Sequence, residues 1–145
     1  MNEKGFASLT ALAILLVLAY LIRGTDYTAG LFVEMTNNFE TENRLQLAAD
    51  SALANELNLC NGKAVDDMPA WLSTYPKDYP PPDGVDSIVV AANKISDDHI
   101  IILAVAKKVK YFGNGLNAFR AAGGFLEKNT VDGNDIYKSK GYLSK

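Results

Sequence analysis

The stretch Phe6-Ala7-Ser8-Leu9-Thr10-Ala11-Leu12-Ala13-Ile14-Leu15-Leu16-Val17-Leu18-Ala19-Tyr20-Leu21-Ile22 decides how the chain is read, because no charged residue falls within it. A charge at the centre of a bilayer costs roughly 2.5–3.5 kcal/mol on insertion scales, so such a gap is what a membrane-spanning helix requires. The run lies at the lower end of the ~17–25 residues that cross a hydrocarbon core, and the uncharged start of the turn after Arg23 extends it, which places the span at residues 6–25. A secretory signal peptide shares the basic start and apolar middle but ends in a small-x-small cleavage site. Tyr20-Leu21-Ile22-Arg23-Gly24 offers none. Lys4 precedes the run and Arg23 follows it, so flanking charge does not fix the orientation.

Downstream, no proline occurs between Asp26 and Leu59, and apolar residues recur at helical spacing. Phe32, Met35 and Phe39 form one stripe; Leu45, Ala48, Ala49, Ala52 and Leu53 form another. Glu34, Asn37, Asn38, Glu40, Glu42, Arg44 and Asp50 occupy the other face. The pattern predicts an amphipathic helix over 26–60 that continues the membrane helix, a rod about 80 Å long at 1.5 Å per residue. Gly24 and Gly30 weaken it locally, by about 1 kcal/mol each relative to Ala.

Asn61-Gly62 supplies a C-cap, after which the composition changes. All five prolines (Pro69, Pro76, Pro80, Pro81, Pro82) cluster before Gly84 among Trp71, Tyr75 and Tyr79, so 69–84 reads as a Pro-rich loop with aromatic anchors and not as a strand. Ser87–Ile95 and Ile100–Val109 are rich in Val and Ile around the turn Ser96-Asp97-Asp98, a hairpin signal. The second run is apolar on both faces, as in a central strand covered by the long helix. Gly113-Asn114-Gly115 reads as a turn, and Leu116–Leu126 as a strand or a short helix interrupted by Gly123-Gly124. Asp132-Gly133-Asn134-Asp135 reads as a turn before a last edge strand. The fold class is α+β: a long N-terminal helix packed on a small antiparallel β-sheet head at 61–145.

The bulk numbers exclude more than they assign. The 145 residues with formal net charge -3 give no basic field for nucleic acid, and Lys107, Lys108 and Lys110 read as a solvated strand end. Cys60 is the single cysteine, so no internal disulfide forms; it reads as a small side chain near a helix end, with an intermolecular disulfide as the alternative. His99, the single histidine, reads as a turn or strand-end residue, and no Ser-His-Asp or Cys-His arrangement follows from it. Asp132–Asp135 carries part of an oxygen-ligand pattern without EF-hand spacing or its closing Glu. No enzyme activity, cofactor or metal is expected.

The junction Lys4-Gly5-Phe6, a short charged leader followed by a helix without polar interruption, resembles the class III signal of the type IV pilin and type II secretion pseudopilin superfamily. The resemblance implies that a prepilin peptidase cuts between Gly5 and Phe6, removing the cytoplasmic leader 1–5, and that Phe6 becomes N-methylated. Major pilins carry Glu at the fifth mature position, where this chain has Thr10. Together with Asn43-Arg44-Leu45-Gln46-Leu47-Ala48-Ala49-Asp50-Ser51-Ala52-Leu53-Ala54, this departure is most like a PilX-type minor pilin. The implied role is a minor pilin or pseudopilin that joins, or primes assembly of, a pilus-like filament for adhesion, motility, DNA uptake or secretion. The implied partners are other pilin subunits through the N-terminal helix, the peptidase and the membrane. The implied location is the inner membrane before assembly and an extracellular filament or the cell surface after it. The alternative is a non-polymerising, single-pass anchored binding module.

Overall fold

A computed structural model describes residues 3–109 and 117–142, with side chains from Ile14 onward. Contacts divide the chain into two units, Met1–Glu40 and Thr41–Lys145.

Helix α1 runs over Glu3–Cys60. In the first unit its side chains from Ile14 onward are almost all exposed, including Leu16, Tyr20, Phe32, Met35 and Phe39. The Thr25, Thr28 and Thr36 hydroxyls donate to carbonyls of their own helix, at Ile22 (2.7 Å), at Gly24 and Thr25 (3.1 and 2.9 Å) and at Phe32 (2.8 Å). These polar groups therefore need no water.

The second unit is a helix-on-sheet layer. Its part of α1 buries Leu45, Ala48, Ala49, Ala52, Leu53, Leu57 and Cys60. Burying a Leu of this kind stabilises by about 1.5–3 kcal/mol. The helix ends as expected: Asn61 N–H donates to Leu57 O (3.0 Å), and Gly62 takes a positive φ of 86°, which a glycine adopts without a Cβ clash.

The Pro-rich segment is more ordered than a loop. A 3-10 turn at Val65–Asp67 leads into α2, Met68–Leu72, with Pro69 in its first turn, where a missing N–H costs nothing. Strand β1, Lys77–Tyr79, lies inside the stretch expected to hold no strand. It is three residues long, bracketed by Pro76 and Pro80, and paired with β2 through Lys77–Val90 and Tyr79–Ile88. Proline tolerates an edge position, which the composition alone did not distinguish from a loop.

Strands β2 (Ser87–Lys94), β3 (His99–Lys108), β4 (Ala118–Val131) and β5 (Asn134–Tyr142) complete a sheet of order β1-β2-β3-β4-β5, antiparallel throughout. The β2–β3 hairpin falls where the Val/Ile runs placed it. Of the two readings for Leu116–Leu126 the strand holds, and β4 runs straight through Gly123-Gly124. Gly124 faces α1 so closely that a Cβ there would stand 2.8 Å from Leu57 Cδ1 and 3.1 Å from Gly141 O. The β4–β5 turn is Asp132-Gly133 with φ of 51° and 79°, the geometry of a tight two-residue hairpin. The turn expected at Gly113-Asn114-Gly115 lies outside the described residues.

Ile88, Val90, Ile100, Ile102, Ala104, Ala106, Ala122 and Leu126 are buried in one core with α1. The alternate residues of β3, Ile101, Leu103 and Val105, remain partly exposed. Helix α1 therefore covers one face of the central strand, although its sequence is apolar on both.

Candidate functional site

A buried carboxylate organises the junction between α1 and the Pro-rich segment. Glu56 is wholly buried, three residues after Leu53 and four before Cys60 on the stripe that faces the head. The Tyr75 hydroxyl donates to its Oε1 and the Tyr79 hydroxyl to its Oε2. Lys77 Nζ lies 2.9 Å from Oε1. Burial pushes the carboxyl pKa up, but the bonds from Tyr75, Tyr79 and Lys77, with the lysine charge, outweigh it and hold Glu56 below the usual carboxylate range. Burial and the bonds to Glu56 push both phenols well above the tyrosine range, so they remain donors. Trp71 packs edge-on against Tyr75 at 4.7 Å, and Lys77 Nζ lies 4.4 Å from the Tyr75 ring centroid, a cation–π contact.

Cys60 is buried beside this cluster, and burial with the nearby Glu56 pushes its thiol up to about 12. A thiol in that state carries almost no thiolate at neutral pH. It is a packing residue, and its burial removes the intermolecular disulfide as a native-state contact. The cluster holds an anion, two phenols and a cation that satisfy one another, which makes it a structural pin between α1 and β1.

Next to it, on the solvent side, lies an open groove of about 870 Å³. One wall is the row Arg44, Leu47, Ser51, Asn55 and Asn58 on α1; the other is Tyr79 with Pro80-Pro81-Pro82 and Asp83. Ala48, Ala52 and Ile88 form its floor. The row follows helical spacing, and the small alanines beneath it leave the space open.

The residues singled out in the sequence are dispersed. Gly5, Phe6 and Thr10 fall in the opening turns of α1, and their side chains lie outside the described residues. His99 starts β3, with Nδ1 3.1 Å from Ser96 Oγ and Nε2 3.9 Å from Glu127 Oε1. Asp135 is held by Lys128 (2.7 Å) and Thr130 (2.6 Å), and Asp132 by the hairpin turn. Among the described residues no group of three His, Cys, Asp or Glu side chains is placed to hold a metal ion. Lys108 lies 3.6 Å from Asp86, and Lys110 lies outside the described residues.

Glu56 was missed in the sequence. Its signal was a charged residue on the buried stripe of an otherwise segregated helix, with two tyrosines and a lysine alternating along 75–79.

By length and composition α1 is able to cross a membrane, and none of its most apolar window is buried within the protein. Comparison with models of known families, with curated proteins and with solved structures found no match to the chain.

Proposed function

We propose that the chain is a minor pilin or pseudopilin subunit: anchored through α1, cut between Gly5 and Phe6, methylated at Phe6, and incorporated into or priming a pilus-like filament. The observation that carries this reading is α1 itself. One proline-free helix leaves apolar side chains uncovered from Ile14 to Phe39 and then buries Leu45, Ala49 and Leu53 against its own sheet. A tethered domain needs a span and a flexible linker; a filament subunit needs a helix that continues from its apolar half into its head. Residues 26–40 fit the second requirement, because Phe32, Met35 and Phe39 form an exposed apolar stripe there on an unbroken helix. The head supplies partner contacts rather than catalysis.

The missing carboxylate at Thr10 favours a minor or tip-associated role, since a hydroxyl cannot neutralise a neighbour's amino terminus. Mass spectrometry of the mature N-terminus tests the proposal. A chain beginning at methylated Phe6 in cells that contain the peptidase, and at Met1 in cells that lack it, is the expected result. An intact Met1 in both replaces the filament reading with the anchored binding module.

A further inference from the structure

We propose that Asn61-Gly62, at the exit of α1, is a spontaneous deamidation site that the folded head holds shut, and that its conversion to isoaspartate unfastens the exit segment from β5. The inference rests on the exit segment alone and is independent of the filament reading.

The chemistry lies in the dipeptide. The Gly62 backbone nitrogen, once it loses its proton, attacks the carbonyl carbon of the Asn61 side chain; ammonia leaves and a cyclic succinimide forms. Water then opens the ring at either carbonyl, giving aspartate or isoaspartate, so no oxidant, reductant or enzyme is needed. A glycine after Asn puts no Cβ in the path of the attack. Asn61 and Gly62 are both exposed, so water and hydroxide reach them. Neither sequence nor burial protects the pair.

Hydrogen bonding does. The attacking nitrogen has to give up its proton, and that N–H donates to Tyr137 O at 2.8 Å. The side-chain carbonyl has to turn onto that nitrogen, and its Oδ1 accepts from Ser139 N–H at 3.2 Å. Asn61 N–H closes the last turn of α1 on Leu57 O at 3.0 Å, which fixes the backbone before the pair. Reaction therefore waits for the junction of α1 and β5 to open.

The two products differ in what they leave behind. Aspartate keeps the main chain and an oxygen for the Ser139 N–H. Isoaspartate routes the main chain through the side chain and adds one methylene before Gly62, about 1.5 Å of chain. Gly62 sits between two fixed points, the last turn of α1 and Tyr137, so the added methylene displaces its N–H from Tyr137 O. Lys63 O, which accepts from Tyr137 N–H at 3.0 Å, moves with it. A junction that opens and reacts in this way does not close again.

The full chain in detergent micelles, held in mildly alkaline buffer with and without urea that unfolds the head, tests this by tandem mass spectrometry at Asn61. Conversion should run at least tenfold slower in the folded head. Ser139→Pro removes the donor to Oδ1 without removing a ladder bond, since that N–H points away from β4. It should speed conversion in the folded head at least threefold at an unchanged urea midpoint. Isoaspartate-containing protein, which needs no substitution, should exchange the Gly62 and Tyr137 amide hydrogens faster and those of Ile100 and Ile102 at the wild-type rate. Asn61→Asp should leave all four as they are. The proposal is overturned by equal conversion with and without urea, or by a folded Ser139→Pro that converts at the wild-type rate. It is equally overturned by isoaspartate protein whose Gly62 and Tyr137 stay as protected as before, or by Asn61→Asp that loosens them as much.

Discussion

The two parts of α1 use similar residues to opposite ends. Ile14–Glu40 exposes nearly all of its Leu, Ile, Val and Phe, which run around the whole circumference over 14–22, whereas Thr41–Cys60 confines its large apolar residues mainly to one stripe and buries that stripe. The difference lies in the arrangement and not in the amount. An apolar stripe needs one neighbour, and the sheet provides it; an apolar cylinder needs a surrounding medium. The threonines of the first part point the same way, since they spend their hydroxyls on their own helix. Substitutions in the second part should therefore report on the head, and those in the first part on the surroundings.

The strongest test of that division pairs two substitutions. Leu53→Ala should lower head stability by about 2–5 kcal/mol through the cavity it leaves. Phe32→Ala should leave the urea unfolding midpoint of the head unchanged in the same micelles. Equal losses for the two would break the comparison.

A smaller effect is expected at the pin. Glu56→Gln replaces a carboxylate that accepts three bonds and should cost about 1–3 kcal/mol, near the middle of that range because Lys77 is partly exposed. The folded carboxyl has a pKa below its unfolded value of 4.5. Its contribution is therefore fully present above about pH 4.5 and is lost as the pH falls through the folded value. The unfolding midpoint of the wild type should drop over that acidic interval, and Glu56→Gln should flatten the drop. A variant with the wild-type slope would remove Glu56 as its source.

The smallest effect sharpens the helix–sheet contact itself. Gly124→Ala sets a Cβ against Leu57, an overpacking cost of about 1–3 kcal/mol that the flexible leucine tip and the lower unfolded-state entropy of Ala reduce toward 1. In the background of Leu57→Ala the cost should shrink without vanishing, because the Gly141 carbonyl still lies 3.1 Å from the new Cβ, as measured by a double-mutant cycle in urea.

These sites also show what the sequence made legible. The hairpin of β2 and β3 was readable because its Val/Ile runs flank a turn, and the burial of Leu45, Ala48, Ala49, Ala52 and Leu53 because helical spacing alone aligned them. Strand β4 was ambiguous because Gly123-Gly124 is a breaker by local propensity. In the fold, Gly124 is what lets Leu57 approach, a reason that exists only between elements distant in sequence. Strand β1 was hidden by its prolines, since edge and loop differ only in what lies alongside. Glu56 escaped attention for a similar reason: its partners lie about twenty residues away and reach it only after the chain turns back through α2. The groove needed both walls before it existed. Gly5, Phe6 and Thr10 were legible as motif alone, and their side chains lie outside the described residues.

The short passage after α1 has one more consequence. Gly62 N–H donates to Tyr137 O (2.8 Å), Tyr137 N–H to Lys63 O (3.0 Å), and Ala64 bridges Ile136, so the chain leaving the helix occupies the middle of the free side of β5. At the far side, β1 offers three residues between prolines. The middle of β5 and the short β1 thus offer no long run of open amides, whereas residues 118–123 of β4, beyond the register with β5, have no partner strand on that side among the described residues. Edge-to-edge pairing is thereby disfavoured along β5 and β1, and what edge the sheet keeps lies at the start of β4.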